Sequence, residues 1–292
     1  MPAPITTSEL ILNPDGSVYH LNLHPEQVAD TIITVGDPDR VAMVSKYFDS
    51  IEFKNQKREF VTHTGYIGKK RITVISTGIG TDNIDIVLNE LHSLKNFNLK
   101  NKVVKDQQIK LKIIRIGTSG CIQKDIPVDS LLVSEFAIGI DNVMHFYKFE
   151  NTRDEEELLN QFKLQCYFYH TIHPYIFKSN DHLFQVFSKG FLSGITLTAP
   201  GFYAPQGRKI NLQVSQEKFY NDIVNFKFNK HRITNIEMET SALYGLSKLM
   251  GHSCISLNVL LANRATGEFS KSPERAVENL IQQTFEIIDG SF

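Results

Sequence analysis

Hydrophobic and polar positions along this chain follow two alternating rhythms. Short apolar, β-branched runs end at glycines, and the segments after them carry apolar residues every three or four positions. Residues 31–35 form such a run and predict a buried strand. It leads into Gly36-Asp37-Pro38-Asp39-Arg40, where Asp37 suits an N-cap and Pro38 the first helical position, so a helix is predicted to about Phe48. Residues 71–77 read as a second strand, meeting Gly78-Ile79-Gly80. Thr81 is then placed to cap a helix with the stripe Ile84, Val87, Leu88 and Leu91. Residues 109–116 predict a third strand, ended by Gly117-Thr118-Ser119-Gly120, and residues 131–140 a fourth. Residues 150–190 are harder to read: an acidic helix start at 154–157, then a stretch rich in histidine and aromatics through Tyr175. Further on come a strand at 194–198, a helix at 239–250 stopped by Gly251 as a left-handed cap, and a strand at 253–261. Ser272-Pro273 opens a final helix to about Ile288. Residues 95–112 are polar and lysine-rich and read as an exposed loop or helix extension.

Alternation of this kind argues for an α/β fold, with helices covering a mainly parallel or mixed sheet. The 292 residues suffice for a sizeable core and show no linker or repeat, so a single domain over 1–292 is expected. Basic and acidic side chains nearly cancel, 31 against 32, which gives no global electrostatic reason to expect nucleic acid or an anionic membrane as partner. Any anion site must be built locally. Cys121, Cys166 and Cys254 are far apart and form no CxxC pair, which argues against a disulfide framework or a metal site and for a reducing cytoplasm. No apolar run is long enough to span a bilayer and no signal-peptide pattern opens the chain, so a soluble cytoplasmic protein is expected.

Ligands in open α/β sheets sit where strands end and loops fan out. Three glycine-bearing strand ends stand out: 36–40, 78–80 and 115–120. Glycine lets backbone N–H groups approach an anion, and Arg40, Arg58 and Arg115 near these elements supply planar forks suited to phosphate oxygens. Arg115 lies inside an otherwise apolar strand and needs a buried partner. A structural ion pair and an anionic ligand both satisfy that need. No GxGxxG follows the first strand and no GxxxxGK[ST] occurs, so neither a dinucleotide site nor a P-loop is supported.

Seven blocks in order resemble the nucleoside phosphorylase superfamily, which includes uridine phosphorylases and hexameric purine nucleoside phosphorylases. They are Val35-Gly-Asp-Pro-Asp-Arg40, Arg58-Glu-Phe60, Ser76-Thr-Gly-Ile-Gly80, Arg115-Ile-Gly-Thr-Ser-Gly120, Phe202-Tyr-Ala-Pro-Gln-Gly-Arg208, Glu237-Met-Glu239 and Asn263-Arg264. The resemblance implies a three-layer α/β/α sandwich with a central mixed, partly barrel-like sheet. It implies phosphate binding by Gly36, Arg40, Arg115 and Thr118, with Arg58 supplied by a neighbouring subunit. Ribose falls to Met238 and Glu239, with Thr118 beside them, and to His20, whose Tyr19-His20-Leu21 segment resembles one that reaches the ribose 5′-hydroxyl across an interface. The base falls to Phe202, Gln206 and Arg208, an amide and a guanidinium matched to the uracil edge. Arg115, Glu239 and Arg208 are thus the implied catalytic residues.

Purine-specific relatives place an aspartate after the late strand. Here the segment reads Leu261-Ala262-Asn263-Arg264, without one, and Arg264 resembles the pyrimidine enzymes' arginine. The expected activity is therefore reversible phosphorolysis of uridine, with inorganic phosphate as co-substrate and no metal or organic cofactor. A monovalent cation at the subunit interface stays open. A shared site implies a homo-oligomer, a dimer or a hexamer built as a trimer of dimers. Alternatives remain: a purine nucleoside phosphorylase or a water-using nucleosidase, and a non-catalytic nucleoside-binding protein. The chain departs from the pattern in extra residues at 96–108 and 150–190, and in Cys121, which reads as a buried structural thiol.

Overall fold

The first apolar run folds as its pattern dictates. In the computed structural model, which describes residues 5–166 and 172–291, β1 (Thr31–Val35) is buried from Ile32 onward. Asp37 accepts from Asp39 N at 3.0 Å and caps α1 (Pro38–Ser45), with Pro38 at the first helical position. The helix ends at Ser45, three residues before the expected end. A hairpin that the pattern did not reveal follows: β2 (Ser50–Lys57) and β3 (Phe60–Ile67). β2 is polar and solvent-facing at most positions, and its one apolar alternation, Ile51 and Phe53, is too short to mark a strand. β4 (Lys70–Ser76) pairs parallel with β1 and antiparallel with β3. The sheet order here is β1-β4-β3-β2.

The next helix, α2 (Thr81–Asn96), buries the expected stripe of Ile84, Val87, Leu88 and Leu91. Its N-cap is Gly80 rather than Thr81; at φ 100° this is a position suited to glycine. The lysine-rich segment begins inside this helix and is not simply solvated. Lys95 is buried, with Nζ on the Val28 carbonyl and 2.9 Å from Asp30, and Asn96 ties down both backbone groups of Ile109. Beyond it, β5 (Phe97–Asn98) and β6 (Val103–Val104) form a small hairpin.

The chain divides into two compact units, Met1–Ile114 with Met250–Ser253, and Arg115–Leu249 with Cys254–Phe292. The elements above belong to the first. The second opens within β7 (Lys112–Cys121), which does not stop at Gly117 but runs through the whole Gly-Thr-Ser-Gly stretch. It continues with β8 (Leu131–Gly139) and α3 (Arg153–Gln165), whose capping box pairs Thr152 with Glu155. The aromatic stretch after α3 falls partly on residues 167–171, outside the described residues. Then come β9 (Tyr175–Lys178), α4 (Asp181–Phe187), β10 (Leu192–Thr198), α5 (Phe219–Asn225), β11 (Lys227–Phe228) and β12 (His231–Glu237). The unit finishes with α6 (Thr240–Leu249), β13 (Ser253–Asn263), β14 (Glu268–Phe269) and α7 (Pro273–Ser291). Gly251 follows α6 at φ 73°, the expected left-handed stop.

Strand pairing in this unit closes on itself. The order β12-β10-β8-β13-β7 is completed by an antiparallel pairing of β12 back onto β7, Asn235 opposite Cys121 and Ile236 opposite Gly120. Strands β8, β10 and β12 are mutually parallel neighbours, and β13 runs antiparallel to β8. The class is α/β on a mixed, partly barrel-like sheet, as the resemblance implies. Closure places the end of β12, the middle of β7 and the body of β13 around one polar centre.

Candidate active site

That centre is organised by Arg115. Its side chain lies forward along β7 over Gly117, where an added Cβ would fall 1.7 Å from Nη1. The glycine of the Arg-Ile-Gly-Thr block therefore makes room for the arginine before it. Nη2 donates to Glu239 Oε2 at 2.6 Å and lies 3.2 Å from Glu237 Oε2, while Nη1 donates to Asn258 Oδ1 at 3.1 Å. All four residues are buried. Burial works against the charge on Arg115, but the Glu237 and Glu239 carboxylates outweigh it and hold its pKa above the ordinary value.

Of the two carboxylates, Glu237 is saturated. It accepts from Thr198 Oγ1 at 2.7 Å, from Glu239 N at 3.0 Å, and from Thr240 through N and Oγ1, the hydroxyl at 2.8 Å. It thus fixes the first turn of α6 and with it the backbone carrying Met238 and Glu239. Met238 is half-buried beside them. Thr118 is half-buried further along β7. The structural ion pair expected for Arg115 is therefore present, and one of its partners is the residue implied to hold ribose.

A second constellation lies on the loop after β10. The turn Ala204–Gln206 ends at Gly207, φ 72°, and buries Gln206 while Phe202 stays exposed. Arg208 folds back over this turn. Its guanidinium stacks 3.8 Å from the Phe202 ring centroid, donates to the Phe202 carbonyl at 2.6 Å, and donates to Gln206 Oε1. Because a guanidinium only donates, the Gln206 carbonyl must face Arg208 and its NH2 points away as a donor. Arg264 donates to the Gln206 carbonyl oxygen of the backbone and stacks 4.2 Å from the centroid of Tyr220. Both guanidinium side chains approach Gly120: an added Cβ there would meet Arg208 Nη2 and Arg264 Cδ at 3.8 Å each. Neither has a carboxylate partner among the described residues. Burial lowers the pKa of both, and the neighbouring Arg264 lowers that of Arg208 further.

The remaining expected residues lie in the first unit. Gly36 follows β1 with its Cα face against the Gly78 carbonyl, 3.5 Å from where a Cβ would be. Arg40 is half-buried in the first turn of α1, where a cation opposes the helix dipole and is better placed beside an anion. Arg58 is exposed at the tip of the β2–β3 hairpin, in a left-handed conformation with φ 54°. His20 Nδ1 lies 2.7 Å from Glu90 Oε1, and the same carboxylate takes the backbone N–H groups of His20 and Leu21. His20 Nε2 has no hydrogen-bond partner among the described residues.

Asn263 is wholly occupied with its own turn, donating to the Gln123 and Ile126 carbonyls and accepting from Ala265 N and Thr266 N. Cys121 is buried and its thiol is pushed up by burial, as expected for a structural cysteine. Among the described residues no cluster of histidine, cysteine and carboxylate side chains could hold a metal.

A family model described as the phosphorylase superfamily matches residues 30–290. The chain belongs to the phosphorylase superfamily. Within this superfamily it is 26% identical over 277 residues to a uridine phosphorylase of Thermococcus kodakarensis, covering 94% of this chain and 87% of that protein. It is 25% identical over 263 residues to a DeoD-type purine nucleoside phosphorylase of Bacillus subtilis, covering 88% and 91%. Among solved structures, a Trypanosoma brucei nucleoside phosphorylase described as showing uridine phosphorylase activity superposes with a TM-score of 0.88, at 29% identity, over 97% of this chain and all of that one. Two members of the polar centre around Arg115, Glu237 and Asn258, were not singled out for a role by sequence reading. Glu237 was visible only as half of the Glu-Met-Glu block, and Asn258 only as a polar residue in an apolar strand.

Proposed function

We propose that this phosphorylase-superfamily chain is a uridine phosphorylase, a pentosyltransferase that reversibly converts uridine and inorganic phosphate to uracil and ribose 1-phosphate. The observation that carries the choice of base is the Gln206–Arg208–Arg264 constellation. Uracil offers two carbonyl oxygens flanking one N–H. The Gln206 NH2 and two guanidinium groups without carboxylate partners supply the donors that such an edge, and the negative charge on departing uracil, would take up. The uridine-named relatives and the T. brucei neighbour support the same reading. The DeoD-type relatives belong to the purine alternative, which lacks its aspartate here, where Asn263 stands.

In this reading phosphate is taken by Gly36, Arg40, Arg115 and Thr118, with Arg58 supplied by a neighbouring subunit. Glu239 takes the ribose hydroxyls, Met238 packs on the sugar, and His20 of a neighbouring subunit takes the 5′-hydroxyl. A phosphate oxygen forms a bond to the anomeric carbon as the bond to the uracil nitrogen breaks through an oxocarbenium-like state. The electron pair leaves with the base and is stabilised by Arg208 and Arg264. Positioning and electrostatics account for the rate, with no metal or organic cofactor. Because two of these residues act across an interface, the protein is at least a dimer, and a hexamer fits the superfamily; the setting is cytoplasmic.

Uridine, inosine and adenosine assayed with and without phosphate test the reading. Ribose 1-phosphate from uridine only when phosphate is present is the expected result. Equal cleavage without phosphate would make the chain a nucleosidase, and preference for inosine would make it a purine enzyme. Light scattering showing only a 33.2 kDa species contradicts the shared site.

A further inference from the structure

The buried side chains around Arg115 form a closed ring. Arg115 Nη1 donates to Asn258 Oδ1 at 3.1 Å, and Asn258 Nδ2 donates to Ser256 Oγ at 3.3 Å. Ser256 Oγ lies 2.9 Å from Thr240 Oγ1, which donates to Glu237 Oε2, and Glu237 Oε2 returns to Arg115 Nη2 at 3.2 Å. Five side chains from β7, β13, α6 and β12 take part, each at most 5% exposed. Donor chemistry fixes the direction of every bond. The guanidinium has no acceptor, so the Asn258 oxygen must face it and the Asn258 NH2 must face Ser256. The Thr240 proton goes to Glu237, so Ser256 donates to Thr240.

The ring treats the two ends of the Arg115 guanidinium differently. One end faces two carboxylates. The other faces a neutral amide that accepts a hydrogen bond and adds no charge. A carboxylate of the same shape at position 258 would surround one buried cation with three anions.

We propose that Asn258 is a positioning residue for Arg115. It fixes the plane of the guanidinium, and by being an amide it keeps this centre from acquiring the extra negative charge that would repel phosphate. The proposal deepens the phosphorolysis reading and rests on it for the role of Arg115 toward phosphate. It does not depend on which nucleoside is used. Ser256, Thr240 and Glu237 complete the support, so Glu239 can leave Arg115 for the ribose hydroxyls while Arg115 keeps both its charge partner and its orientation.

The test is calorimetric binding of inorganic phosphate, with steady-state kinetics at varied phosphate and varied uridine, on the wild type, Asn258→Asp and Asn258→Ala. Asn258→Asp is expected to weaken phosphate at least about tenfold at pH 8, raising KM for phosphate much more than KM for uridine. As pH falls, the introduced carboxyl takes up a proton and again presents one acceptor and one donor, so the ratio of variant to wild-type phosphate affinity should return toward one. A residue serving only the fold would give no such pH-dependent rescue. Asn258→Ala breaks the ring without adding charge and should weaken phosphate by about threefold to tenfold, with no rescue by pH. It also carries the test if Asn258→Asp does not fold. Folded variants with wild-type phosphate affinity, or equal and pH-independent changes in both KM values, overturn the proposal, as does a wild type that binds no phosphate. A wild type that binds phosphate but leaves uridine intact overturns the uridine reading alone, and the calorimetric comparison still decides the role of Asn258.

Discussion

The two arginine sites of the second unit are built on opposite plans. Arg115 is buried at 5% exposure, with two carboxylates and an amide fixing it from three sides. Arg208 and Arg264 are only half-buried, stacked on aromatic faces and tied to carbonyl oxygens on a loop, with no carboxylate partner among the described residues. A neutralised, locked guanidinium costs nothing to reorganise when charge develops beside it. Two guanidinium groups held by rings and neutral oxygens keep their attraction for incoming negative character. In the proposed reading, the first plan serves the phosphate step and the second the recognition of the base.

The largest effect should come from breaking the locked site. Arg115→Met leaves Glu237 and Glu239 buried together without their cation. Stability to urea should fall by about 3–5 kcal/mol, and phosphorolysis by about a thousandfold or more. A stable, active Arg115→Met would mean that the ring is ornamental. Next in size is Arg208→Met, which removes a donor from the loop but leaves no buried carboxylate behind. The expected loss in kcat/KM for uridine is about a hundredfold, with stability to urea changed by less than about 1 kcal/mol. If both variants lose stability equally, the contrast between the sites is false.

The background of such comparisons depends on pH through a residue elsewhere. His252, buried with its Nδ1 accepting from Leu111 N and its Nε2 3.1 Å from His92 Nδ1, is depressed by burial from 6.5 to about 4. The unfolded chain therefore binds more protons than the folded chain between these values. Stability rises with pH across that window and is lost as pH falls through it. Urea unfolding at pH 7.5 and 5 should show the loss, and His252→Gln should reduce it.

The smallest effect is expected at Tyr220. Its hydroxyl is buried without a hydrogen-bond partner among the described residues, while its ring supports Arg264. Tyr220→Phe keeps the ring and removes the orphaned group, so stability should stay level or rise by about 1 kcal/mol. A large loss of uridine affinity would instead make that hydroxyl a ligand contact.

Much of this molecule was legible in its sequence because the relevant physics is local. β-branched runs named β1, β4, β8, β10 and β13, and Asp37-Pro38 and Gly251 marked helix ends. β2 was illegible because its one apolar pair, Ile51 and Phe53, is too short a pattern, and Thr81 was misplaced because the glycine before it already caps the helix. The burial of Lys95 could not be foreseen from composition, since its partners Val28 and Asp30 lie far earlier in the chain. Phe202, Gln206 and Arg208 form one short block, were named together by the resemblance, and lie together in the structure. Asn258 meets Arg115 only because β13 and β7 enclose the same centre, a fact of topology that no local pattern carries.

Pairing β12 back onto β7 has a consequence for inheritance. A closed ring of strands leaves little freedom to retune Arg115 or its partners, since any one substitution disturbs the others. The loop after β10 lies outside that ring of strands and is tied to it through Arg264 on the Gln206 carbonyl. In the proposed reading, a lineage built on this frame can change its choice of nucleoside through residues 201–208 while keeping its phosphate chemistry in the barrel.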